Sequence, residues 1–243
     1  MPGNRQCPGR LLTELAGAIV RRALPDCCVL CGGEALGHFC FSCRSDLPRI
    51  PDPCGRCDQP VGVPGGLHVH CAACQLRPPP FQRARSALLY AFPVDTALKS
   101  LKFGHALYYV PAFSELLLAE FLLCFQHADA LVPVPLHHWR YATRGFNQAI
   151  ELCRPLSRSA GLPIVRNVRR IRSTPPQSGL DALSRRRNLK HAFAVKGRFT
   201  SRRPLIVDDV MTTGETCRQL ALTLLEAGAV TVDVLTVARA AAG

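Results

Sequence analysis

The sequence predicts an α/β domain built on a parallel sheet and preceded by a small N-terminal zinc-ribbon module. Three observations carry this. An apolar run, Leu205-Ile206-Val207, enters an acid pair, Asp208-Asp209, then a Thr/Gly turn and a helical pattern. Four Cys-x-x-Cys pairs crowd residues 28–74. Beyond them, strand-like apolar runs alternate with helical spacing, as in a parallel sheet with crossover helices.

The chain has 243 residues and 48% hydrophobic content, which suits one medium domain with a small appendage. Boundaries are expected at 1–25 for a lead-in helix, 26–77 for a double zinc ribbon and 84–239 for the α/β domain. No run of about eighteen uncharged apolar residues exists, so no membrane insertion is expected. The nearest stretch, 113–125, carries Glu115 and Glu120. The N-terminus shows no clean signal-peptide core, which points to a cytoplasmic location. The net charge is +13, and residues 139–203 hold sixteen Lys/Arg against only Glu151 and Asp181. One segment thus carries the whole excess and implies an anionic partner, polyphosphate or nucleic acid.

In chain order, Leu11, Leu12, Leu15, Ile19 and Val20 keep helical spacing until Pro25, which reads as an amphipathic lead-in helix. The cysteine pairs follow: Cys28/Cys31, Cys40/Cys43, Cys54/Cys57 and Cys71/Cys74. Each pair presents two thiolates across a tight turn, and two pairs complete a tetrahedral Zn²⁺ site. This Pro/Gly-rich region has too few large apolar residues to fold on a core, so metal would supply the folding energy. Two structural zincs are expected. Sequential pairing is simplest, crossed pairing and disulfides are the alternatives, and His38, His68 and His70 are possible substitute ligands.

Pro78-Pro79-Pro80 marks a linker. A strand is expected over 84–92, a helix over 94–103 bearing Lys99 and Lys102, and a helix over 113–125. A short strand over 130–135 runs into a proline-stiffened loop. Arg140, Arg144, Gly145, Asn147 and Gln148 then open a helix over 146–159. Strands are expected over 164–168 and 193–195. Between them, residues 169–188 form a basic loop-like segment, a candidate lid over a phosphate site. The last strand is expected over 231–237.

The acid-Thr stretch is the chemical centre of the sequence. Cys217, Leu220, Ala221, Leu224 and Leu225 keep helical spacing, which places Thr212, Thr213, Gly214, Glu215 and Thr216 at a helix N-terminus. Unpaired N–H groups, the helix dipole and three hydroxyls there suit a phosphate. Asp208 and Asp209 suit a sugar diol or hydrated Mg²⁺. No Gly-Lys-Ser/Thr follows, which excludes a P-loop.

This stretch resembles the phosphoribosyl-pyrophosphate (PRPP) signature of type I phosphoribosyltransferases. With Pro25-x-x-Cys28-x-x-Cys31-Gly32, Leu98-Lys99-x-x-Lys102-Phe103, Val132-Pro133-Val134-Pro135-Leu136, Arg144-Gly145-Phe146-Asn147-Gln148, and Gln177 with Arg185-x-x-Asn188, nearly the whole chain resembles the ComF (competence protein F) family. The resemblance implies a zinc ribbon on a phosphoribosyltransferase-like domain that handles single-stranded DNA in natural transformation. Competence or recombination proteins would be its partners. It also implies Asp208 and Asp209 as the catalytic, ribose-binding pair, with PRPP and Mg²⁺ as ligand and cofactor. Val210, Met211, Thr212, Thr213, Gly214, Glu215 and Thr216 would bind PRPP. Arg140, Arg144, Asn147, Gln148, Gln177 and Arg185 would meet pyrophosphate or form the lid. Ser184 departs from the pattern, which commonly has an acid there.

Two classes of function follow. One is glycosyl transfer from PRPP, an enzyme of nucleotide metabolism, in which positioned charges stabilise an oxocarbenium-like transition state. The other is a nucleic-acid factor that retains a PRPP pocket, favoured by the concentrated positive charge. Aromatic residues make up only 7%, so no base-stacking platform is evident from composition.

Overall fold

A computed structural model describes residues 26–62, 69–137, 141, 143–171 and 192–241. The expected lead-in helix lies outside them. The chain divides into two compact units, Met1–Asp46 and Leu47–Gly243. In the first, strands β1 (Asp26–Cys27) and β2 (Glu34–Ala35) pair antiparallel, followed by a short helix α1 (Phe41–Ser45). Gly32, at φ +74°, makes the tight turn after the first knuckle.

The second unit contains helix α2 (Ala72–Leu76), strand β3 (Ala84–Leu89), helices α3 (Val94–Phe103) and α4 (Tyr109–Cys124), strand β4 (Ala130–Pro133) and helix α5 (Gln148–Ala160). Strands β5 (Val168–Arg170), β6 (Phe193–Val195) and β7 (Pro204–Met211), helix α6 (Glu215–Glu226) and strand β8 (Asp233–Arg239) complete it. The main sheet has the order β3-β8-β7-β4 and is parallel throughout. Leu205, Ile206, Val207, Val234, Leu235 and Val237 of its two central strands are fully buried. Continuous apolar runs of this kind are what strands covered on both faces require.

Strand β7 pairs with β8 beyond the acid pair, to Met211 opposite Arg239. Helix α4 starts earlier than the periodicity suggests, because Pro111 falls in its first turn, where a missing N–H is harmless. The strand expected over 164–168 shrinks to one bridge, Ile164 to Leu131. The chain then leaves the main sheet, and β5 pairs antiparallel with β6. This two-stranded base holds the two ends of the basic segment together, with Ile171 N–H donating to the Ala192 carbonyl at 2.8 Å.

The two cysteine groups fall in different units. A double zinc ribbon is expected over 26–77, and residues from Leu47 onward cluster with the compact unit of the sheet. Side chains distant in sequence explain the attachment. Buried Asp58 accepts from the Arg85 guanidinium at 3.0 Å and from the Ser86 backbone N–H at 2.7 Å. Ala84 N–H donates to the Arg56 carbonyl at 2.8 Å. The proline linker is also gripped: Arg56 donates to the Pro79 carbonyl and Arg218 to the Pro78 carbonyl.

Candidate functional site: an acid pair, a phosphate loop and two tetracysteine groups

Asp208 and Asp209 lie on β7 and are tied locally. Asp208 Oδ1 accepts from the Asp209 N–H, and Asp209 Oδ1 from the Val210 N–H, both at 2.9 Å. The end of α3 delivers Lys102, whose Nζ sits 2.9 Å from Asp209 Oδ2. Lys102 is the partner of Asp209 Oδ2 among the described residues. Burial, then the neighbouring Asp209 charge, pushes the Asp208 carboxyl up to about 8, although Lys102 opposes the shift. Burial alone would lower the Lys102 pKa, but Asp209 and then Asp208 outweigh it and hold the ammonium above its ordinary value. The pair therefore combines one carboxylate neutralised by lysine with one carboxyl that keeps its proton near neutrality. A divalent cation or a diol could replace that proton as partner.

Lys102 was legible only as part of a motif; its pairing with Asp209 joins elements more than a hundred residues apart. Phe103, next to it, is exposed, and the Arg144 guanidinium lies 5.2 Å from its ring centroid. His105 and Phe146 approach at 5.4 Å between ring centroids. Phe103 and Phe146 thus lie where the Lys102 and Arg-Gly-Phe-Asn-Gln segments meet.

Asn147 caps α5: its Oδ1 accepts from the Ala149 N–H at 2.9 Å, and its Nδ2 donates to the Val134 carbonyl at 3.0 Å. Its side chain fixes the loop after β4. Gln148 is buried, and among the described residues its Nε2 has no hydrogen-bond partner. Arg140, Gln177 and Arg185 lie outside the described residues.

After Met211, exposed Thr212 and Thr213 lead to Gly214, whose φ of +75° turns the chain into α6. Gly214 is the N-cap and supplies no side-chain acceptor. Thr213 Oγ1 gives only a long 3.4 Å contact to the Glu215 N–H, so the helix N-terminus lacks a strong cap of its own. Buried Glu215 accepts from Gln219 Nε2 at 2.8 Å. Arg239 was not foreseen. It ends the apolar β8 run, is buried, and donates from Nη1 to the carbonyls of Met211 and Ala240 at 2.9 Å and to that of Thr212. Its Nε donates to the Cys57 carbonyl at 3.0 Å. A cavity of about 480 Å³ lies between the second cysteine group and the 212–215 turn, and neither Asp208 nor Asp209 lines it.

Cys28, Cys31, Cys40 and Cys43 form one cluster, and Cys54, Cys57, Cys71 and Cys74 the other, with the four Sγ atoms of each within 4.8 Å of one another. Sequential rather than crossed pairing is therefore the arrangement. The Cys31–Cys40 and Cys57–Cys71 sulfurs are 3.7 and 3.6 Å apart. These spacings are too long for disulfides and match the edge of a tetrahedron with Zn–S bonds of about 2.3 Å. Although burial opposes it, backbone N–H donors lower the Cys28 thiol to about 6 and the Cys54 thiol to about 7, whereas Cys43, Cys57 and Cys74 of the same groups are raised, the first by hydrogen bonds with neighbouring thiols and the other two chiefly by burial. The donor sets fit zinc.

No family model matches the chain. It is similar to DNA utilization protein YhgH of Escherichia coli strain K12, with 38% identity over 220 residues, covering 87% of this chain and 96% of that protein. Competence protein F of Haemophilus influenzae is 32% identical over 225 residues, 88% of this chain and 96% of its own length. The chain belongs to the competence protein F family. The competence protein ComFC of Bacillus subtilis aligns at 29% over 200 residues, 78% of each chain. Among solved structures, an allosteric regulatory enzyme of purine biosynthesis overlaps 52% of this chain and 25% of its own, at 20% identity and TM-score 0.34, and bears no weight here. No helix among the described residues is long and apolar enough to cross a membrane.

Proposed function

We propose that the acid pair and the 212–216 turn bind PRPP with Mg²⁺ and that the protein handles single-stranded DNA for a competence or DNA-utilization pathway. The observation that carries the PRPP reading is the acid pair in its setting. Asp208 keeps a proton, Asp209 is neutralised by Lys102, and a Thr-Gly turn without its own cap follows within five residues. On this reading Asp208 and Asp209 accept the ribose hydroxyls and a hydrated Mg²⁺. The N–H groups and hydroxyls of residues 212–216 take the 5′-phosphate. Arg144, beside Lys102, faces the pyrophosphate; the expected lid residues 172–188 lie outside the described residues. Mg²⁺ would neutralise phosphate charge, while the chain's residues orient the ribose.

The DNA reading is supported by the names of the relatives, by the basic segment, by the cation–aromatic contact of Arg144 with Phe103 and by the ring contact of His105 with Phe146. Aromatic faces beside cations suit unstacked bases and their backbone. The deciding experiment is calorimetric titration with PRPP and Mg²⁺, repeated after adding single-stranded DNA, on wild type and on Asp208→Asn/Asp209→Asn. Mg²⁺-dependent heat in wild type and its loss in the variant are expected. Undiminished PRPP affinity in the variant would overturn the assignment. Pyrophosphate release in the presence of candidate bases would separate a transferase from a PRPP-sensing DNA factor.

A further inference from the structure

Arg239 connects two parts of the molecule that have separate chemical roles. One is the knuckle of the second tetracysteine group, reached through the Cys57 carbonyl. The other is the turn that follows the acid pair, reached through the Met211 and Thr212 carbonyls. The guanidinium is buried, with 4% exposure, and its donors are fixed in a rigid plane. The cavity has Cys57, Cys71 and Cys74 on one wall and residues 212–215 on another, so the two parts are not packed directly together there. Cys57 packs against the buried cluster that contains Met211, and the hydrogen bonds of Arg239 add directed links from that knuckle to the turn.

The rest of the knuckle is held differently. Asp58 and the Arg56 carbonyl fasten it to β3, away from the turn. A knuckle that loses its shape would therefore withdraw the Cys57 carbonyl from Arg239 while β7 and β8 keep their ladder. A buried donor left without its acceptor must find another or leave, and either outcome moves the Met211 and Thr212 carbonyls.

We infer that Arg239 is a positioning residue that makes the phosphate turn depend on metal at the second tetracysteine group. Residues 211–216 hold their ligand-ready form when Cys54, Cys57, Cys71 and Cys74 are metallated and lose it when the metal is withdrawn. The ligand affected is phosphate-bearing, which rests on the PRPP reading, but the coupling between knuckle and turn does not.

Hydrogen exchange on the full-length zinc-loaded protein tests this, comparing peptides over 211–216 with the β7 and β8 interior, with and without a zinc chelator. In wild type, chelation should speed exchange in the turn on the order of tenfold, within the usual range of coupling between sites, and leave Leu205, Ile206 and Val234 protected. In Arg239→Met the turn should exchange fast with zinc still bound, and chelation should add little. Should that variant fail to fold, the wild-type comparison alone still decides. An unchanged turn in chelated wild type would overturn the inference, as would loss of protection spread evenly through both strands. A PRPP titration of the same samples is the second readout: affinity should fall in parallel with turn protection. Wild type that never binds PRPP would refute the PRPP reading while the exchange result still judges the clasp.

Discussion

Replacing Asp208 with Asn should stabilise the ligand-free protein, and by an amount that grows with pH. Burial and the Asp209 charge lift the Asp208 carboxyl from 3.8 to about 8 in the folded chain. Between those values the folded protein holds a proton that the unfolded chain has lost, so stability falls as pH rises through this window and levels off above it. The full displacement corresponds to roughly 6 kcal/mol at about 1.4 kcal/mol per tenfold change in proton affinity. Asp208 keeps partial contact with solvent, which screens its charge and reduces the expected effect to about 2–3 kcal/mol. Asn is neutral in both states and lacks this dependence. Urea unfolding of wild type and Asp208→Asn from pH 5.5 to 8.5, without Mg²⁺, should give midpoints that diverge steadily towards the alkaline end. Mg²⁺ should restore wild type at high pH and leave the variant unmoved, because a cation that binds only the folded carboxylate stabilises by mass action. Parallel curves, or an advantage that shrinks as pH rises, would refute the account of Asp208.

Metal analysis should find close to two Zn²⁺ per chain, one for each cluster of four cysteine sulfurs; a metal-free protein with no titratable thiols would mean disulfides. Asp58→Ala should destabilise the sheet unit by about 3 kcal/mol, because it strands Arg85 and the Ser86 N–H beside a buried knuckle. Chemical denaturation measures this, and a change below about 0.5 kcal/mol, the size of an ordinary surface substitution, would show the ion pair to be incidental. Neutralising Arg185, Arg186 and Arg187 should flatten the salt dependence of single-stranded DNA binding by up to about two in the log–log slope, read by anisotropy. An unchanged slope would remove these arginines from the DNA interface.

The central strand and its turn were legible because the information is local. Leu205 to Asp209 and Thr212 to Thr216 form one unbroken stretch, and the apolar run alone demands burial on both faces. The cysteine spacings were legible for the same reason. The attachment of the second knuckle was hidden, since Asp58 meets Arg85 and Cys57 meets Arg239 across 27 and 182 residues. Lys102 and Arg239 were equally obscure as working residues: a lysine ending a helix and an arginine ending a strand are common, and only folding brings them to Asp209 and the turn. Composition is an average and says nothing of where Phe103 meets Arg144 or His105 meets Phe146.

The contacts between the second knuckle and β3 have a consequence for solubility. Strand β3 lies at the edge of the main sheet, where one row of backbone groups has no strand to pair with. The Ala84 N–H is taken by the Arg56 carbonyl, the Ser86 N–H by Asp58, and the Leu89 N–H by the Pro48 carbonyl. Residues 48–58 therefore sheathe an edge that would otherwise recruit a strand from another molecule. A fragment beginning after the proline linker keeps every sheet strand yet bares that edge. It should self-associate where the intact chain does not, which makes the knuckle a guard against aggregation as much as a metal site.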